Sequence, residues 1–514
     1  MEVVVQHVAL DAAVVRAWAE GALAACRAAR ERIDAVNVFP VPDADTGSNV
    51  ALTVAGGAQA VARAGGDAGA AELLAVFAAG AARAARGSSG IILSQWLVGF
   101  ADGVPDTLPP TATDGAGAAL LVGALERAAR AAAAAVPDPQ EGTVLTVARE
   151  VAAHARRGLG TRTAAVDVLA DAAAAARADL ALLSAGHDVL RAARVVDAGA
   201  CALLVVVDAL VRTLRTGGAP GGAQDVDLAW LPEARADVVA SCPPAGGGAY
   251  EVMMLVHATW DGLDGLAAAL QGVGDAVAVV DAGPAWHAHV HCDDPAVALA
   301  LVPAEVREQV VVRRVDEPAP AERGLVVLTR SPGLAAWYAT CGAVTLVGGR
   351  TDAEQVTRAA VDTRAGHVVV VDAGVGVPPA PGTGTPDLPD CGLPTRDLAT
   401  PDVPTCDVLA AAGDGPAVVA CLALVADPQV APDAGRAALR RLRAAVPTDL
   451  GTVPGTVVDL LRDAHDAQGL TLVHGTVDGA QVRAVADALG AAHPELEVVV
   501  AGPAVGPAWW VGVD

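Results

Sequence analysis

The 514-residue sequence contains no lysine; every one of its 34 basic residues is an arginine. That absence excludes chemistry built on an ε-ammonium group, among it the Gly-Lys-Ser/Thr phosphate loop and Schiff-base catalysis. Basic residues are also outnumbered, 34 against 59 acidic ones, for a formal net charge of −25. Such a surface repels phosphate backbones and anionic lipid, which disfavours nucleic acid and membrane surfaces as partners. The eight cysteines, Cys26, Cys201, Cys242, Cys292, Cys341, Cys391, Cys406 and Cys421, include no C-x-x-C pair. They fit neither a disulfide framework nor a structural zinc module. Aromatic residues make up only 3%. No stretch reaches the roughly 18 uncharged apolar residues of a membrane span. Met1-Glu2, followed by His7 and Asp11, lacks the basic start and apolar core of a signal peptide. A cytoplasmic protein without a membrane span is expected.

What is abundant is Ala, Val, Leu and Gly, in a chain long enough for roughly three domains of about 150 residues. Ala-rich segments Asp11–Val36, Ala70–Ala85, Ala118–Ala135 and Ala164–Leu183 predict an all-helical domain over 1–215, with its chemistry in the loops. A Gly/Pro-rich linker follows over 216–242. Strands at Tyr250–His257, Ala276–Asp281 and Trp286–His291, with a helix near Leu263–Gln271, predict a middle α+β domain over 243–317. From 318 to 514 strands such as Gly324–Thr329, Val344–Val347 and His367–Asp372 alternate with helices, which argues α/β. Pro378–Pro404 reads as a long loop.

The densest cluster of chemistry is Asn37-Val38-Phe39-Pro40-Val41-Pro42-Asp43-Ala44-Asp45-Thr46-Gly47-Ser48-Asn49. Asp43 and Asp45 are placed to share one hard cation, Mg²⁺ being suited to oxygen-only ligands and phosphates. Thr46, Gly47, Ser48 and Asn49 offer N–H groups and hydroxyls at a helix start. Ordinary helix capping is the competing reading of the same residues. Arg86-Gly87-Ser88-Ser89-Gly90 is a second small-residue turn; Glu141–Thr146 and Val195–Ala200 are two more. In the middle segment His287, His289 and His291 alternate along a strand, so they share a face. That geometry suits a transition metal or an acid–base site handling phosphate, against the alternative of a solvated strand face.

Taken together, the four strings Asn37–Asn49, Ala85–Gln95, Glu141–Val147 and Val195–Ala200 resemble the nucleotide-binding domain of dihydroxyacetone kinases. They resemble still more closely the fatty acid kinase A-subunit family. The resemblance implies an antiparallel all-helical barrel holding Mg-ATP at one end. It implies Asp43, Asp45 and Asn37 as metal-site residues, Asn37 standing where the smaller kinases have a further aspartate. Thr46, Gly47, Ser48, Asn49, Ser88, Ser89 and Gly90 would line the phosphates, and Thr143, Asp197 and Gly199 the nucleotide pocket. Three positions depart from the family strings: Ala44 replaces a glycine, Ser88 an asparagine and Ala200 a glycine. Ala44 matters only if that residue needs a positive φ. His289 and His291, ahead of Asp294-Pro295, match the family's functional histidine pair, whereas Ala249 stands in register with a cysteine present in some members. The last third resembles the family's DegV-related C-terminal domain through Ser331-Pro332-Gly333 and Val347–Thr351. Strand-end turns explain those pieces equally, and Trp509-Trp510 reads as packing.

The expectation is a multidomain α plus α/β protein that is the ATP-binding component of a two-component fatty acid kinase. Its partner would be a DegV-like fatty-acid-binding protein presenting the carboxylate, and the resemblance also implies a homodimer. His289 and His291 would act in transfer or coupling. A dihydroxyacetone kinase-like small-molecule kinase and a non-catalytic nucleotide-sensing scaffold are the alternatives.

Overall fold

The computed structural model describes residues 10–105, 114–161, 164–219, 226–233, 248–316, 323–349, 351–376, 404–426 and 432–514. Cys242, Arg350 and all but the last residue of the Pro378–Pro404 loop lie outside the described residues. Two compact units divide the chain: Met1–Gly247 with Leu255–Gln271 and Asp275–Val290, and Gly248–Met254 with Gly272–Gly274 and His291–Asp514.

The first unit is built on α1 (Ala12–Asp34), α2 (Thr46–Arg63), α3 (Ala70–Ala84), α4 (Gly87–Asp102), α5 (Asp114–Ala134), α6 (Val144–Gly158), α7 (Ala165–Ser184), α8 (Asp188–Ala193) and α9 (Ala198–Thr216). Asp11 starts α1 by accepting the Val14 N–H at 2.9 Å. Val14, Trp18, Ala22, Ala25, Ala29 and Ile33, three or four residues apart, form its buried stripe. From α1 to α7 each helix packs on the next, and α9 packs on both α7 and α1, so the row returns to its start. Apolar almost all round, α9 is buried as a helix inside a bundle must be. The Trp18 indole donates to the Val206 carbonyl at 3.1 Å. Its ring lies edge-on to Phe77 and Phe100, with centroids 5.4 and 5.5 Å away. Two of the three phenylalanines thus meet in one aromatic knot.

Part of the expected linker is held down. Arg32 donates to the carbonyls of Leu228 at 2.8 Å, Pro232 at 3.0 Å, and Leu231. Val226 and Leu231 are buried, and the Arg177 guanidinium lies 5.8 Å from the centre of the Trp230 ring. The same unit contains α10 (Leu263–Gln271), β2 (Asp275–Asp281) and most of β3 (Ala285–Cys292). Ala278 and Val280 of β2 pack with Ala85, Ile91 and Ala135, and Gln95 donates to the Asp281 carbonyl at 2.9 Å.

The second unit takes in the start of β1 (Tyr250–His257), then α11 (Pro295–Ala300), β4 (Arg307–Arg314), β5 (Gly324–Thr329), α12 (Ala335–Thr340), β6 (Ala343–Val347), α13 (Ala353–Asp362), β7 (His367–Asp372), β8 (Thr405–Ala410), α14 (Asp414–Ala426) and α15 (Asp433–Arg441). Its sheet runs β4-β6-β5-β7-β8, with β4 antiparallel and the rest parallel. β5, β6 and β7 are continuous apolar runs because helices cover a parallel sheet on both faces. β4 pairs with β6 through Val311 and Leu346, so one sheet runs across residue 317. A smaller sheet, ordered β11 (Glu497–Ala501), β10 (Gly469–His474), β12 (Trp509–Val513), β9 (Arg443–Ala445), packs with α16 (Val453–Arg462) and α17 (Gly479–Ala492). A helical domain followed by a mixed sheet matches the expected α plus α/β organisation.

Candidate active site

The motif strings are not mid-loop: α2, α4, α6 and α9 each begin inside one of them. Asn37 organises the first. Its Nδ2 donates to the Val41 carbonyl at 2.7 Å and to Asp43 Oδ1 at 3.2 Å. Its Oδ1 accepts the Thr46 N–H at 2.9 Å and the Thr46 hydroxyl. Asn37 is therefore engaged at both ends of its amide within the loop, the work of a bracket.

Ordinary capping predicts that Asp45, the N-cap of α2, bonds the helix it precedes. It makes no side-chain capping bond. Asp34 of α1 does that work instead: Oδ1 accepts the N–H groups of Gly47 at 2.7 Å and Ser48 at 3.1 Å, and Oδ2 accepts the Ser48 hydroxyl at 2.8 Å. The first N–H groups of α2 thus already have partners in the protein, Thr46 on Asn37 and Gly47 and Ser48 on Asp34. What faces a ligand is the set of side chains. Gly47 serves packing, since a Cβ there would meet the Arg30 carbonyl at 2.4 Å. Asn49 is buried, with its N–H on the Asp45 carbonyl at 2.8 Å. Ala44, between the two carboxylates, has φ +53°. The conformation that glycine enters without steric cost is here taken by alanine.

The second string meets the first. Thr46 Oγ1 lies 3.1 Å from Ser89 Oγ, joining the first turns of α2 and α4. Gly90 permits this closeness: a Cβ there would sit 2.3 Å from Thr53 Oγ1, which accepts the Arg86 N–H at 3.2 Å. Ser88 is half-buried on the same first turn.

The other two strings meet each other. Thr143 caps α6 and donates its hydroxyl to the Gln140 carbonyl at 2.8 Å. Asp197 caps α9, accepting the Ala200 N–H at 2.8 Å, and also takes a backbone hydrogen bond from Val144. One carboxylate therefore ties two helix N-termini. Burial pushes Asp197 up to about 6, against the downward pull of those two bonds. Gly199 faces Val144, where an added Cβ would come within 3.2 Å of the valine Cβ. Gly142, at φ +84°, lies under His187, and the Phe39 ring packs 4.1 Å from the His187 ring. That contact brings the Asn37–Asn49 loop to the end of the bundle where α6 and α9 begin.

The three histidines are buried, 2%, 0% and 4% exposed for His287, His289 and His291, so they are not a solvated strand face. His287 donates Nδ1–H to the Ala82 carbonyl at 3.3 Å. His289 donates Nδ1–H to the carbonyl of Ala276 at 2.8 Å, which leaves the Nε2 lone pair as its basic site. Ala276 has φ +52°, a second alanine in the left-handed region. His289 and His291 gather with Glu251, each offering one ligand atom within 4.8 Å of the others. His287 does not join this group. Nor does Cys292, whose thiol burial pushes up to about 11. Arg313 donates Nε–H to Glu251, and His291 Nε2 stands 3.8 Å from Glu251 Oε1.

Asp34, Glu251 and Arg313 escape a reading of the motifs. Asp34 leaves one trace: an acid in the last turn of a helix opposes the dipole, which signals another task. In the second unit, the Ser331 hydroxyl donates to Asp414 at 2.6 Å and accepts the Val505 N–H at 2.7 Å. Thr329 and Tyr338 donate to the same carboxylate at 2.6 and 3.0 Å. Gly333 abuts Pro503, and Trp510 covers Gly415. The Ser331-Pro332-Gly333 string is a strand-end turn knitted into the core.

Residues 40–212 match the DAK2 domain, and residues 247–305 match the middle domain of fatty acid kinase A-subunit-like proteins. The chain belongs to the fatty acid kinase A-subunit-like family. The DAK2 match takes in Asp43 to Gly199 but begins after Asn37; the middle-domain match takes in Glu251, His289 and His291. This family member is 27% identical to Protein YloV of Bacillus subtilis over 346 residues, 62% of the chain and 61% of YloV. It is 30% identical over 183 residues to an uncharacterised protein of Staphylococcus epidermidis, covering 36% of the chain and 32% of that protein. A Staphylococcus aureus relative matches at 29% over the same length, again 32% of its own chain. The chain thus spans between a third and three fifths of the curated relatives it matches. Among the described residues, no helix is long and apolar enough to cross a membrane.

Proposed function

We propose that this protein is the ATP-binding component of a two-component fatty acid kinase. The γ-phosphoryl group of ATP passes to a fatty carboxylate oxygen, giving acyl phosphate and ADP. A separate DegV-like carrier presents the acyl chain, so the kinase needs no acyl tunnel of its own. The observation that carries the reading is the loop Asn37–Asp45: two carboxylates beside the joined first turns of α2 and α4, with Asp34 supplying the cap that Asp45 does not.

Oxygen-only donors on Asp43 and Asp45 fit Mg²⁺. Bound there, the ion would supply charge for the phosphates of ATP. The chain's own residues prepare the place. Asn37 and Asp34 fix the loop and the α2 N-terminus, while Thr46, Ser48, Ser88 and Ser89 present small polar side chains beside two helix dipoles. Asp197 with Thr143 holds the α6 and α9 N-termini at the nucleotide end. His289 and His291, being buried, act as positioning residues rather than attacking groups. We read the closed helical row as the family's antiparallel barrel, and a homodimer as its assembly.

The test is ATP turnover with Mg²⁺, comparing no addition, dihydroxyacetone, and oleate loaded on a DegV-like carrier. Turnover only with loaded carrier supports the reading. Turnover with dihydroxyacetone replaces it with a small-molecule kinase. Mg-ATP binding without turnover in any mixture replaces it with a nucleotide-sensing scaffold.

A further inference from the structure

Glu251 is 1% exposed and Arg313 9% exposed, and the two form a direct ion pair between β1 and β4. His291 faces the other carboxylate oxygen at 3.8 Å. Among the ligand atoms of Glu251, His289 and His291, only the Glu251 oxygen is anionic. Its charge is already matched by a guanidinium, which does not lose its proton in a protein. Ala249, two residues earlier, adds no ligand atom; its N–H donates to Asp293 Oδ1 at 3.1 Å. A divalent ion placed here would leave a buried double positive charge beside a fixed cation, a cost that neutral imidazoles do not offset. The donor set therefore does not fit a resident transition metal, although the spacing of the ligand atoms alone would allow one.

We propose that Arg313 takes the place of a metal cation in this domain. Its guanidinium neutralises Glu251 and fixes the carboxylate against which His291 rests, so the histidine strand is braced without an ion. A charge-assisted bond of this kind is short and directional, the property that a metal would otherwise supply. The proposal is independent of the kinase reading, because its readout is metal content.

The full-length protein, stripped with chelator and checked by circular dichroism, is titrated with zinc chloride, followed by calorimetry and thermal melting. The wild-type protein should bind no more zinc than His291→Ala, which sets the background from other side chains. Arg313→Gln should bind one further equivalent, with a zinc-dependent rise in Tm of about 5 °C or more. That gain should vanish in Arg313→Gln/His291→Ala. If Arg313→Gln folds only when expressed with zinc, the substitution of one cation by the other is shown directly. A wild-type protein that binds one equivalent, lost in His291→Ala, overturns the proposal. So does an Arg313→Gln protein that is indifferent to zinc, or that fails to fold with zinc present.

Discussion

The two buried polar clusters answer a carboxylate in opposite ways. At the end of the helical bundle, Asp34 is met by backbone N–H groups and a hydroxyl from the first turn of α2. In the sheet, Glu251 is met by a full opposite charge. Partial charges from a helix end leave the surroundings negative, and the neighbouring Asp43 and Asp45 add to that. An ion pair leaves its surroundings neutral. The first arrangement suits a ligand that arrives with cations, and the second is complete without one. Both contain an alanine in the left-handed region, Ala44 and Ala276, so backbone strain marks the two places alike while their electrostatics differ.

The contrast breaks most visibly if the paired aspartates are not the cation site. Asp43→Asn with Asp45→Asn should lower carrier-dependent ATP turnover by at least about 10³-fold at unchanged circular dichroism. Retained turnover would move the chemistry elsewhere. On the sheet side, Glu251→Gln or Arg313→Met alone should cost about 3–5 kcal/mol in urea unfolding, since each strands a buried charge. The double substitution should cost less than either single one. Asp197 sharpens the helical side through pH. Its folded pKa of about 6 lies above the 3.8 of an ordinary aspartate, so the native state binds the proton more tightly than the unfolded chain. Stability should therefore fall by on the order of 2–3 kcal/mol as pH rises from about 4 to about 6, then level off. Asp197→Asn should remove that slope from melts recorded across the window. The smallest effects compare the strained alanines: Ala44→Gly and Ala276→Gly should each stabilise by about 1 kcal/mol. Unchanged melts in both would show that the strain is relieved elsewhere.

Much of the architecture is legible in one dimension, for a physical reason. β5 and β7 fall at Gly324–Thr329 and His367–Asp372 as expected, because a parallel strand covered on both faces must be an unbroken apolar run. The long Ala-rich helices lie within a few residues of their expected spans. The motif strings were legible as chemistry but not as helix starts, since Gly, Ser and Thr serve turns and first turns equally. What local patterning does not carry is pairing at a distance. Arg313 reaches Glu251 across 62 residues, and β4 meets β6 across a Pro-rich break that composition treats as a boundary. Burial of the histidines is of the same kind, since an alternating H-x-H-x-H string reads identically wet or dry.

The return of the helical row from α9 to α1 has a consequence for how the protein is made. Trp18 waits for Val206, 188 residues later, before its indole N–H has its native partner. On a ribosome the first eight helices emerge with their inward faces uncovered, and the apolar α9 is the last to arrive. A nascent chain halted before residue 198 would present a long apolar seam to chaperones, and contacts of such sequence separation slow folding. Emergence of α9 from the ribosome, rather than completion of any single earlier helix, is then the step at which this bundle closes its core.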